Sequence, residues 1–84
     1  MMDEKRALDR AKQAFPSYVF DKVIDFKGKY IFWGTSKKYG PFADPAIIAV
    51  SKDAGIVSYP SIMELSLDYG DEFTKAYENA RSIQ

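Results

Sequence analysis

The apolar positions of this chain change their period along its length, and each change predicts an element. Ala7, Leu8, Ala11, Ala14 and Phe15 recur three or four apart among charged residues, which predicts an amphipathic helix over residues 3–15. Asp3 and Glu4 lead it and bases follow, an order that suits the helix dipole, and Pro16 ends it by biasing Phe15 out of α backbone. From Tyr18 to Phe26 the residues are mostly β-branched or aromatic, and a polar turn at Gly28 precedes KYIFWGTS. This predicts a first hairpin, with strands at 18–26 and 29–36.

A second hairpin is predicted at residues 46–59, AIIAVSKDAGIVSY, where Gly55 closes a three-residue Asp-Ala-Gly loop in a left-handed conformation. Ser61 and Glu64 then stand three apart as a reciprocal capping pair, so the hairpin feeds a helix. Gly70 with Asp71 behind it marks a stop and a second cap, and Phe73, Ala76, Tyr77, Ala80 and Ile83 form an apolar stripe. The pattern leaves open whether residues 61–83 make one helix or two. Between the hairpins, Lys37-Lys38-Tyr39-Gly40-Pro41-Phe42-Ala43-Asp44-Pro45 holds two prolines and a glycine, which exclude regular structure, and two aromatics with no evident burial.

This order of elements predicts a single α+β domain over residues 1–84. Its expected parts are an N-terminal helix, an antiparallel sheet of three to four strands in two hairpins, and a C-terminal helix or helix pair packed on one sheet face. The N-terminal helix is expected on that same face. Alternation along 29–36 puts Tyr30, Phe32 and Gly34 on one side and Ile31, Trp33 and Thr35 on the other, so both sides carry large apolar groups. The face without helices then needs a cover, for which a second protomer, a partner protein or the folded-over loop would serve; a homodimer is one expectation.

Composition narrows the class. At 84 residues, 46% of them hydrophobic and 15% aromatic, the chain supports one small core and is too apolar for disorder. There is no cysteine, which excludes disulfides, thiolate nucleophiles and cysteine-based zinc sites and fits a reducing compartment. There is no histidine, which removes the commonest general base and transition-metal ligand. Neither an export segment nor a run long enough for a membrane span is present in the sequence, so the expected location is cytoplasmic, without membrane association. Net charge is zero, yet residues 1–42 hold nine bases and five acids (+4) and residues 43–84 hold three and seven (−4), which makes the molecule dipolar.

Catalysis is not expected. Asp71 and Glu72, with Asp68 nearby, are the nearest thing to an acid–base pair, but adjacent carboxylates at a helix start read as cap and dipole partners. The same three lack the alternating ligands and turn glycine of a calcium loop, so no metal is expected. Ser36 and Ser61 have no histidine to activate them, and Gly28, Gly34 and Gly40 are too dispersed for a phosphate loop, so no cofactor is expected either. Lys27, Lys29, Lys37 and Lys38 interleave with Tyr30, Phe32, Trp33 and Tyr39, a mixture found in single-strand binders. Strand aromatics are more often core, however, and a neutral chain attracts a polyanion poorly, which argues against nucleic acid.

Tyr30-Ile31-Phe32-Trp33, the Pro45-led strand running through Val50, the Asp53-Ala54-Gly55 turn with Ile56 and Val57, and Ser61 to Leu65 together resemble the small YrhB-like proteins of the immunity protein 35 family. The likeness spans nearly the whole chain and implies a non-enzymatic protein that masks a toxin. The same strand, turn and strand also resemble the end of a PepSY module, a secreted or membrane-tethered fold, against which the lack of an export segment counts. In both cases the matching residues are structural. The residues expected to meet a protein partner are Lys37, Lys38, Tyr39, Phe42 and Trp33, which combine charge with aromatic surface. The alternative function is a small prophage-encoded structural or assembly protein that self-associates through its sheet.

Overall fold

In the computed structural model, which describes residues 2–83, the chain forms three helices and five strands. In order these are α1 (Glu4–Ala14), β1 (Tyr18–Phe26), β2 (Lys29–Ser36), β3 (Ala46–Ser51), β4 (Val57–Ser58), α2 (Ile62–Tyr69), α3 (Asp71–Glu78) and β5 (Arg81–Ser82). The strands make one antiparallel sheet in the order β4-β3-β2-β1-β5. Both edge strands are only two residues long, which limits edge-to-edge aggregation. Among the described residues no helix is long and apolar enough to cross a membrane.

The elements form for the reasons the sequence suggests. The Asp3 carboxylate accepts the Arg6 N–H at 2.8 Å and caps α1, whose Ala7 and Ala11 are fully buried. The Ser61 hydroxyl accepts the Glu64 N–H at 3.1 Å and caps α2. The reciprocal bond from the Glu64 side chain is not made among the described residues, so half of the expected capping pair is present. The C-terminal segment is two helices, broken at Gly70. Asp71 makes no side-chain cap to α3, contrary to expectation; it begins that helix as an acid at the positive dipole end.

Three further expectations are corrected. Four residues, 52–55, separate Ser51 from Ile56, whose backbone bond is 2.9 Å, so the loop of the second hairpin is one residue longer than expected. Gly55 does adopt the left-handed φ of +66°, and its N–H donates to the Ser51 carbonyl at 3.0 Å. A side chain there would meet Met2, which can move, but the backbone angle cannot; Gly55→Val is expected to lose more than about 1 kcal/mol. An unchanged denaturation midpoint would contradict that conformation. The apolar stripe from Phe73 also does not continue as helix to Ile83. Asn79 stops α3, its side chain donating to the Lys75 carbonyl at 2.9 Å, and Arg81–Ser82 turn back to pair with Lys22 and Val23.

The largest correction concerns the layers. The N-terminal and C-terminal helices lie on opposite faces of the sheet, not together on one. Ala7 and Ala11 of α1 pack with Phe20, Val23, Phe32, Ile48 and Val50, whereas Leu65 of α2 and Phe73 of α3 pack with Ile24, Phe26, Ile31 and Ala49. A β-bulge between Phe20 and Lys22 makes this possible, because the extra residue lets Phe20 and Val23 share the α1 side while Ile24 and Phe26 turn to α2 and α3. Neither face is bare, so the argument for a homodimer from an uncovered sheet loses its premise. Charge follows the layers: α1 carries four bases and two acids, whereas α2 and α3 together carry five acids and one base.

Candidate protein-binding surface

Of the exposed apolar side chains, which also include Ile56 and Tyr59, two groups stand out. The first is the loop after β2, and its geometry starts from Ser36, a buried polar residue. The Ser36 hydroxyl accepts the Tyr39 N–H at 3.1 Å and its carbonyl accepts the Gly40 N–H at 2.9 Å. The Lys37 N–H donates to the Ser17 carbonyl at 2.8 Å, and the Phe42 N–H to the Tyr39 carbonyl at 3.2 Å. These bonds hold the loop backbone while its side chains face solvent: Tyr39 is 58% and Phe42 is 96% exposed. The Lys38 ammonium sits 5.2 Å from the centre of the Tyr39 ring, a cation–π contact that helps to order both groups.

Lys37, Lys38, Tyr39 and Phe42 thus share one ordered loop. Trp33 is placed elsewhere. It is half-buried on the face covered by α2 and α3, with its ring 5.0 Å from that of Tyr77, in a cleft of about 260 Å³ bordered by Ser66, Phe73 and Thr74. Of the other aromatics that interleave with lysines along β2, Phe32 is fully buried and Tyr30 is partly buried against the α1 side.

The second group is the outward face of α2, which the sequence reading did not single out. Leu65 is buried and the Tyr69 ring meets Phe26 at 5.0 Å, but Met63 and Leu67 are 72% and 80% exposed. The signal is present in the sequence. Met63, Leu65, Leu67 and Tyr69 alternate at intervals of two, and a helix of period 3.6 must turn such residues to opposite sides. Ser66 lines the Trp33 cleft, and Met63 shares its side of the helix three residues earlier, so this apolar face adjoins the cleft rim.

Three ion pairs link separate elements. Glu72 pairs with Lys27, and Asp25 accepts from the Lys52 ammonium at 2.6 Å; these hydrogen bonds, ahead of the charge attraction in each pair, hold both lysines above the usual lysine range. Arg81 pairs with Glu4 and ties β5 to α1. Ser61 is engaged as a helix cap and Ser36 as a loop acceptor. Among the described residues no three His, Cys, Asp or Glu side chains converge as a metal site. No family model, curated protein or solved structure matches this chain.

Proposed function

We propose that this chain is a non-enzymatic protein-binding module of the cytoplasm that acts by covering a partner's working surface, the mode of action that its resemblance to the immunity protein 35 family implies. The observation that carries this reading is the loop of residues 37–42. Two aromatic rings stand out from a backbone already held by hydrogen bonds, so binding them orders little that is not ordered in the free protein. Lys37 and Lys38 beside them would steer an acidic partner. The assembly reading drew its support from a bare sheet face, and both faces are covered.

Calorimetric titration against the proteins encoded beside its gene tests the proposal. Tyr39→Ala and Phe42→Ala are each expected to raise Kd at least about tenfold by faster dissociation, and Lys38→Glu to slow association, with melting temperature nearly unchanged. Single-stranded DNA or RNA should bind more weakly than about 100 μM at physiological salt. Tight, salt-sensitive nucleic-acid binding that disappears with Lys37 and Lys38 would replace the proposal. A large loss of stability in Tyr39→Ala would show that its ring is core.

A further inference from the structure

α2 carries its exposed residues in two rows. Met63 and Leu67 stand four apart, so they lie one above the other on the helix, and Glu64 and Asp68 repeat that spacing one residue further on. All four are exposed, Met63 by 72% and Leu67 by 80%, although Leu65 between them is buried against the sheet. An apolar ridge thus runs beside an acidic one. The helix has no base of its own. Lys29 borders the same hollow as Glu64 and Asp68 but forms an ion pair with neither among the described residues, and the two carboxylates outnumber it.

On the flank of α2 away from these acids, Ser66 borders the cleft of about 260 Å³ that Trp33, Phe73, Thr74 and Tyr77 also line. The cleft is mostly aromatic and has room for one apolar side chain. Around α2 the order is therefore cleft, apolar ridge, acidic ridge. Met2 and Ile83, the first and last described residues, pack on the other sheet face with the α1 core.

We propose that this surface receives a basic amphipathic helix of a partner protein, with one apolar side chain in the Trp33 cleft, others against Met63 and Leu67, and lysines or arginines against Glu64 and Asp68. Ridges four residues apart are what a second helix seats between its own rows, and the acids set its charge. A second copy does not supply such a helix. Its α1 is basic, but Ala7 and Ala11 are buried in the core, and its α2 would bring Glu64 and Asp68 of both copies to one seam. The inference goes beyond the contact of residues 37–42 and does not depend on it.

The test titrates the intact chain with a capped peptide of leucine and lysine patterned as an amphipathic helix, and follows amide chemical shifts and the emission of Trp33, the one tryptophan. The expected result is a Kd below about 100 μM, a blue shift of Trp33, and amide shifts concentrated at Met63–Asp68 and Tyr77. The same peptide with glutamate for lysine, and one in which leucine and lysine strictly alternate, should each bind at least about tenfold more weakly. Met63→Ala combined with Leu67→Ala should weaken the helical peptide at least about tenfold, and Glu64→Gln with Asp68→Asn at least about threefold, whereas Phe42→Ala should leave it unchanged. The proposal is overturned if the shifts fall outside α2 and the cleft, or if the glutamate or the alternating peptide binds equally well. A dimer that forms through α2 and excludes the peptide overturns it too.

Discussion

Gly34→Val should destabilise the protein by about 3 kcal/mol, although valine is much the better strand residue. The cause is the Phe20 ring, which crosses the glycine from the neighbouring strand. A Cβ at position 34 would lie 2.8 Å from both Cδ1 and Cε1 of that ring. Phe20 is 4% exposed and packed edge-on against Phe32, itself fully buried, so the ring has no free space to move into. The gain from strand propensity is at most about 1 kcal/mol, so the clash decides the sign. In an 84-residue domain the loss corresponds to a fall in melting temperature on the order of 12–20 °C. Phe20→Leu in the same background should restore part of it, because a smaller side chain vacates the space over residue 34. A stable Gly34→Val with an unchanged urea midpoint would place the Phe20 ring elsewhere.

That glycine shows where sequence reasoning succeeds and where it stops. Tyr30, Phe32 and Gly34 are readable as one side of β2 because strand alternation is local, and the structure places Tyr30 and Phe32 in the α1 core with Gly34 beneath Phe20. What covers each side is not local. Strict alternation from Tyr18 would send Phe20, Ile24 and Phe26 to one face, and only the bulge at Asp21, a residue with no distinctive signature, divides them between two helical layers. The tail behaves similarly. Ala76 and Ala80 are four apart and both pack on the α2/α3 side, so they read as one helix, yet the helix has ended at Glu78 before Ala80 arrives. The exposed loop was legible because proline and glycine exclude other structures there. The groove bordered by Leu8, Lys12, Phe20 and Ile83 was not, because these residues lie far apart in sequence and meet only once α1 has packed on the sheet.

Phe73→Ala should remove about 3–5 kcal/mol, a large part of a total on the order of 4–12 kcal/mol for a chain of this size. Phe73 is the buried residue of α3, with its ring 5.9 Å from Phe26 and 6.4 Å from Tyr77, and it forms the inner wall of the Trp33 cleft. Because that cleft is open to solvent, water enters the space vacated by the ring, which moves the expected cost towards the lower end of the range. The same water reaches Trp33, the one tryptophan of the chain, so its fluorescence should shift to the red in the folded variant. Leu67→Ala, on the exposed face of α2, should change stability by less than about 0.5 kcal/mol. The contrast between the two variants tests the layered architecture itself, since a helix that did not seal the second sheet face would lose little from either. Equal, small effects with unshifted Trp33 emission would return the face of Ile24, Ile31 and Ala49 to solvent or to another protomer.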